Sequence, residues 1–321
     1  MTPSVLVVHD NPDRYFQSLV KNFPGCVFYT ARTDEELQQQ ITSVRPEILL
    51  SFRCDGITTA SQTKAAQSDC IQWIQVAGAG HDHLGDLSNL HCTVSNCGGV
   101  LSRFQAETVI GAMINLNFGF FRYQQLQNQK TYKKLPWNSL NGQKLLLVGF
   151  GHIGKAVARD ARHFGMHVTA VRTTACETPE ADAVYAIDKL PELLPQADFV
   201  SLHLPHTLET HRFFDKKMFQ AMKPGSYFIN TARGLIVQEE DLIEALHSKH
   251  LGGAYLDVFS EEPLPASNPL WSLENVILTP HFCDAVSDWH ERFADFFAEN
   301  LTRWLEERPL ENIIKQTEDS F

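Results

Sequence analysis

The sequence predicts an α/β protein built from two doubly wound parallel-sheet domains. Three observations carry that expectation. Strand-like and helix-like segments alternate from the first residues onward, the pattern that places helices on both faces of a parallel sheet. The 321 residues are more than one ordinary hydrophobic core accommodates. A glycine-rich turn near the middle of the chain then opens a second β/α series.

Val5–Val8 reads as a buried strand, followed by a helix over Asn11–Asn22 with Asn11 as N-cap and Pro12 in the first position. Val27–Tyr29 is the next strand. A helix over Thr33–Val44, ended by Pro46, leads into the strand Ile48–Phe52. Ile71–Val76 is a further strand and runs into the small-residue loop Ala77–Gly80. From Ser102 to Asn128 one long helix is expected. Its Phe, Ile and Met residues are not confined to one stripe, so neighbours should cover most of its faces. The stretch Lys130–Asn141, with Trp137, reads as loop. A second series starts with the strand Lys144–Val148 and continues through His167–Val171, Phe199–Leu204, Tyr227–Asn230, Gly253–Val258 and Val276–Thr279. An amphipathic helix near Ser287–Glu307 closes the pattern, with Trp289, Phe293, Phe297, Leu301 and Trp304 at helical spacing.

Composition narrows the function classes. With 27 Lys+Arg against 38 Asp+Glu the net charge is −11, which repels a phosphate backbone and argues against a nucleic-acid partner. A dinucleotide is compatible, because a few local donors and a helix terminus suffice to hold it. The cysteines at 26, 54, 70, 92, 97, 176 and 283 form no CxxC pair and no Cys/His cluster with zinc spacing. No metal site is expected, and the scattered odd set fits reduced thiols. The chain enters its first strand without a signal-like segment, and no apolar run approaches the ~18–20 residues that span a bilayer. The expectation is a cytoplasmic protein with no membrane partner.

The strongest local motif is Gly149-Phe-Gly151-His-Ile-Gly154, directly after the strand Lys144–Val148 and at the start of a helix over Ile153–Gly165. That context is what a dinucleotide fingerprint of a Rossmann-like domain requires. Gly149 permits the tight turn, Gly151 lets the backbone approach a pyrophosphate, and Gly154 allows close helix–strand packing. Free N–H groups at the helix start, with His152 and Ile153, face the phosphates. An NAD site usually places Asp or Glu about 20 residues beyond the glycines. Here Arg172-Thr173-Thr174 stand after the next strand, a set that favours a 2′-phosphate and therefore NADPH, with NADH possible. Alternatively Arg172 stacks on adenine or is solvated. Leu204, Pro205 and Thr231 complete the expected cofactor contacts.

Three later segments carry the chemistry. They are Ile229-Asn-Thr-Ala-Arg-Gly234, Leu256-Asp-Val-Phe-Ser-Glu-Glu-Pro263 and Leu278-Thr-Pro-His281, each at or beyond the C-terminal end of a predicted strand. Their order after the glycine motif resembles the D-isomer-specific 2-hydroxyacid dehydrogenase family, with a glyoxylate/hydroxypyruvate reductase-like character, over essentially the whole chain. The resemblance implies that Arg233, Glu262 and His281 are catalytic and that Asp257 lies near the nicotinamide carboxamide. It also implies that backbone N–H groups of Ala79 and Gly80 bind substrate carboxylate alongside Arg233. Arg53 matches a basic position near the substrate in some relatives, or is a surface arginine. Trp137 either caps a neighbouring subunit's pocket or packs in the core.

The chemistry accounts for the set independently. Hydride addition to a 2-oxo carbon leaves negative charge on oxygen, which needs a proton donor and a fixed positive charge. His281 can give that proton, Glu262 beside it would favour the imidazolium, and Arg233 can hold carboxylate and carbonyl together. After His281 the family commonly has small residues, whereas this chain has Phe282-Cys283-Asp284. Cys283 is not needed as a nucleophile, and Asp284 is a candidate helix cap.

The expected organisation is a dinucleotide-binding catalytic domain over 102–284 and a discontinuous, flavodoxin-like substrate domain made of 1–101 plus 285–321. The long helix from Ser102 would form the interface of a homodimer, as the resemblance implies. The expected activity is reduction of a small 2-oxo acid to a D-2-hydroxy acid with NADPH. The alternative is an NAD(P)(H)-sensing, corepressor-like interaction protein on the same scaffold.

Overall fold

The computed structural model describes residues 2–315. In chain order its first part comprises β1 (Ser4–Val8), α1 (Phe16–Asn22), β2 (Val27–Ala31), α2 (Asp34–Ser43), β3 (Ile48–Phe52), α3 (Thr59–Ala66), β4 (Trp73–Ala77) and β5 (Thr93–Asn96). Next come α4 (Ser102–Phe118), α5 (Phe120–Asn128), β6 (Lys144–Val148), α6 (His152–His163), β7 (His167–Arg172), β8 (Ala183–Ala186), α7 (Leu190–Leu193) and β9 (Phe199–Leu202). They are followed by α8 (Lys216–Ala221), β10 (Tyr227–Asn230), α9 (Glu239–His247), β11 (Gly253–Leu256) and β12 (Val276–Leu278). The last elements are α10 (Trp289–Leu305) and β13 (Ile313–Lys315).

The chain divides into two compact units. Residues up to Val100, together with those from Val286 onward, form the first, and Leu101–Ala285 form the second. The first holds a six-stranded sheet in the order β13-β5-β4-β3-β1-β2, parallel except for β13 against β5. The second holds a seven-stranded sheet in the order β12-β11-β10-β9-β6-β7-β8, parallel throughout. Both are doubly wound α/β sheets, as the alternating pattern predicts.

The near-continuous apolar strands follow from burial on both faces. In β6, Leu145 and Leu147 enter a core with Val109, Met113, Val157 and Ala161. Leu146 and Val148 enter the opposite core, with Phe214, Phe219 and Phe228. Elsewhere local signals suffice. Thr33 caps α2 by accepting from Glu36 N at 3.2 Å, and the acidic residues 34–36 complement the helix dipole.

Two helix expectations are corrected. Over 11–22, Pro12–Arg14 form a short 3₁₀ turn, α1 starts only at Phe16, and Asn11 makes no side-chain cap bond. Tyr15 breaks the helix because its ring is drawn into the core, where its hydroxyl lies 2.7 Å from His9 Nδ1. The long helix over 102–128 is two, divided at Gly119, whose left-handed backbone (φ 82°, ψ 44°) closes α4 as glycine commonly does. Strands β5, β8 and β13 are additional to the expected set. Among the described residues no helix is long and apolar enough to cross a membrane.

Candidate active site

In the second unit every strand runs the same way, so the loops after β6, β7, β9, β10, β11 and β12 gather at one edge of the sheet. The sheet order reverses between β6 and β9, the position where open α/β sheets form a ligand crevice. The glycine motif occupies it. Gly149 has φ 104° and packs so tightly against the next crossover that a Cβ would lie 2.5 Å from His203 O. A Cβ on Gly154 would lie 2.4 Å from Gly149 O, so the third glycine sets the helix against the turn. Nothing lies within 4 Å of a Cβ position on Gly151. The twelve-residue α6 begins there with no side-chain cap, leaving the N–H groups around His152 and Ile153 for an external acceptor.

The flanking residues fit a dinucleotide. Arg172 ends β7 and is exposed, as are Thr173 and Thr174, and among the described residues its guanidinium reaches only the Cys176 thiol, at 3.8 Å. Leu204 and Pro205 follow β9, the first half-buried and the second exposed. The hydroxyl of Thr231 and Nδ1 of His203 are shielded and have no hydrogen-bond partner among the described residues. Burial holds the His203 imidazole down to about 3, so it stays neutral. Such orphaned buried polar atoms are uncommon in a finished core and mark a place for a polar ligand.

The loop after β10 is shaped by a residue the sequence reading did not single out. Buried Asn230 accepts from Ala232 N at 3.0 Å and donates through Nδ2 to Arg233 O at 3.1 Å. Gln105, from α4, donates to Thr231 O at 2.7 Å. Gly234 lies so close to the loop after β11 that a Cβ would stand 1.9 Å from the carbonyl of Phe259. The glycine after Arg233 therefore brings the arginine loop onto the Glu262 loop. A polar side chain ending an otherwise aromatic and aliphatic strand was the available signal for Asn230.

The structure brings Glu262 and His281 together, with Oε2 2.8 Å from Nδ1. The other Glu262 oxygen accepts from Phe259 N at 3.0 Å, so both oxygens are held. His281 has φ 53°, and its N–H donates to Asp257 O at 2.7 Å. Asp257 itself is only 1% exposed. Its carboxylate accepts from Phe282 N at 3.0 Å, from Cys283 N at 3.2 Å and from the Thr279 hydroxyl. It clamps the segment that carries His281. Burial beside Asp257 pushes the Cys283 thiol far up, so it stays protonated.

The remaining residues of interest belong to the first unit. Arg53 directly follows β3 and is exposed. Ala79 and Gly80 follow β4, with Ala79 O accepting from Asn96 Nδ2 at 2.8 Å. Their own N–H groups have no acceptor among the described residues. Trp137, in the second unit, is 55% exposed and packs edge-on to Phe118, so it is not a core residue. Among the described residues no group of three or more His, Cys, Asp or Glu could hold a metal ion.

A glycine turn at a bare helix start, on the sheet edge that also carries an imidazole–carboxylate pair, defines a dinucleotide-binding domain. The family profile described as "D-isomer specific 2-hydroxyacid dehydrogenase, NAD binding domain" matches residues 110–283. The glyoxylate reductase of Thermofilum pendens is 32% identical over 277 residues, covering 83% of this chain and 80% of that protein. That of Korarchaeum cryptofilum is 38% identical over 175 residues, a match spanning 54% of this chain and about half (53%) of the relative. The crystal structure of a D-isomer-specific 2-hydroxyacid dehydrogenase family protein from Aeromonas salmonicida superposes with a TM-score of 0.85 at 30% identity, covering 98% of this chain and 99% of that one. The chain belongs to the D-isomer-specific 2-hydroxyacid dehydrogenase family.

Proposed function

We propose that this protein reduces small 2-oxo acids to D-2-hydroxy acids, preferring NADPH over NADH. The observation that carries the reading is the His281–Glu262 pair, 2.8 Å apart on the edge that also holds the glycine turn and Arg233. Two relatives with appreciable identity are glyoxylate reductases, which supports a small substrate.

A bound dihydronicotinamide supplies the hydride. The residues do the rest. Gly149, Gly151 and Gly154, with the N–H groups of His152 and Ile153, seat the pyrophosphate, while Leu204, Pro205, Thr231 and Asp257 border the remainder of the cofactor. Arg172, Thr173 and Thr174 receive the 2′-phosphate. Arg233 pairs with substrate carboxylate and carbonyl and so orients the carbon to be reduced. Because Nδ1 of His281 is committed to Glu262, Nε2 gives its proton to the carbonyl oxygen as negative charge develops there. Glu262 fixes the tautomer and balances the imidazolium. In the first unit, the amides of Ala79 and Gly80, with Arg53, supply donors suited to an anionic substrate.

The seven free cysteines fit a reducing compartment, and we place the protein in the cytoplasm. We also propose a homodimer. The test of function is loss of nicotinamide absorbance with NADPH or NADH and a panel of 2-oxo acids. Fast NADPH consumption with one small acid is expected. Tight binding of both cofactors without turnover would overturn the reading in favour of a cofactor-sensing interaction protein.

A further inference from the structure

We infer that Asp284 is a substrate-recognition residue, selecting 2-oxo acids whose third carbon carries a hydrogen-bond donor over those carrying a second anion there. The inference rests on the reductase reading above and deepens it.

Asp284 stands three residues beyond His281 on the segment leaving β12, within the same compact unit. The backbone before it is pinned at three points. Asp257 accepts from Phe282 N (3.0 Å) and Cys283 N (3.2 Å), and Thr108 Oγ1 donates to Cys283 O at 2.6 Å. The side chain is half-buried, and among the described residues its carboxyl accepts only from its own backbone N–H, which leaves acceptor capacity unused. It is close enough to Asp257, His281 and Arg233 for all three charges to act on it. Burial and Asp257 raise its proton affinity above the ordinary carboxylate range, with His281 and Arg233 pulling the other way.

A partly desolvated carboxyl with unused acceptors is unfavourable until a donor reaches it. Arg233 and His281 hold the carboxylate and carbonyl ends of a 2-oxo acid, so what is left to approach Asp284 is the substituent on the third carbon. A hydroxyl there gives a donor to the acceptors the backbone leaves unused. A second carboxylate there meets the charge of Asp284, with the buried Asp257 acting on the same group, and like charges in this setting repel.

The experiment is steady-state kinetics of the full chain at saturating NADPH with glyoxylate, hydroxypyruvate and oxaloacetate, for the wild type, Asp284→Ala and Asp284→Asn. In Asp284→Ala the ratio of kcat/KM for hydroxypyruvate to that for glyoxylate should fall roughly tenfold or more, the effect of a hydrogen bond to a charged group. In Asp284→Asn, which keeps a carbonyl acceptor, it should fall less. In both variants oxaloacetate should gain relative to glyoxylate. If all three substrates lose the same factor, Asp284 only supports the fold and the inference is overturned. A wild type that oxidises NADPH with none of the three acids overturns the reductase reading, and this inference with it.

Discussion

His281 adopts φ 53°, a left-handed conformation that costs a residue with a side chain roughly 1–3 kcal/mol. The buried Asp257 clamp holds it there, with Glu262 bound to Nδ1, and Nε2 is the nitrogen proposed to transfer the proton. His281→Ala should therefore lower kcat by ~10²–10⁴-fold while NADPH binding, followed by fluorescence, persists. A variant that keeps wild-type kcat would remove His281 from its role. Arg172 provides a second test at this scale. Replaced by Ala, it should weaken NADPH about ten- to a hundredfold more than NADH, because only NADPH carries the phosphate proposed to pair with it. Equal losses for both cofactors would refute 2′-phosphate recognition. Gly149 and Gly154 were legible because each answers a steric demand of the turn that a side chain cannot meet, and Gly234 meets a comparable one against the Phe259 carbonyl. The loop-holding work of Asp257 was not, since its partners Thr279, Phe282 and Cys283 lie 22–26 residues further along. Only the parallel β11–β12 pairing brings them together.

At the scale of elements, the junction of β6 with α6 separates fold from binding. A Cβ on Gly154 would press against the Gly149 carbonyl, whereas one on Gly151 would stand in open space. Gly154→Ala should cost roughly 1–3 kcal/mol and lower the melting temperature by several degrees. Gly151→Ala should melt close to the wild type but raise the KM for NADPH several-fold, since its added methyl intrudes where the pyrophosphate is proposed to lie. Wild-type KM in Gly151→Ala would contradict that placement. The elements that escaped the sequence reading share a cause. In β5 the residues Thr93-Val94-Ser95-Asn96 lack a strand-like apolar run. They are buried because Ser95 Oγ accepts from Trp73 Nε1 and donates to Gln75, each at 2.8 Å, and Gln75 in turn accepts from Asn300 Nδ2 at 2.9 Å. Tertiary partners from two distant segments, β4 and α10, satisfy polar groups that a local reading assigns to a loop. Gly119 shows the opposite failure. The apolar pattern continues through it, and the backbone conformation that ends α4 leaves no mark in periodicity.

At the scale of the whole molecule the fold class was legible because buried parallel strands and their covering helices imprint themselves on every segment. Association and pH response depend on which side chains remain outside or become trapped inside. Phe120 (54% exposed) and Trp137 (55%) pack against Phe118 where α4 gives way to α5. Light scattering should find the chain at twice its mass, and a Trp137→Ala, Phe120→Ala double variant should shift it towards the monomer. A wild-type monomer at micromolar concentration would end the dimer proposal. The first unit carries a separate liability in His9, which is 2% exposed, stacked on Phe52 at 4.3 Å and bonded to the Tyr15 hydroxyl. Burial first, and the facing His290 second, lower its proton affinity to about 4, with Asp10 opposing and Arg32 adding to the fall. Above its ordinary value of 6.5 both folded and unfolded chains hold it neutral, and it contributes nothing to pH dependence. As pH falls from there towards 4 the unfolded chain takes up a proton that the folded chain resists, so stability drops. The full interval corresponds to roughly 3 kcal/mol. Denaturant unfolding at pH 7, 6 and 5 should show that decline in the wild type. His9→Phe, which has nothing to protonate, should show a shallower one, and equal slopes in the two proteins would mean that His9 is not the group responsible.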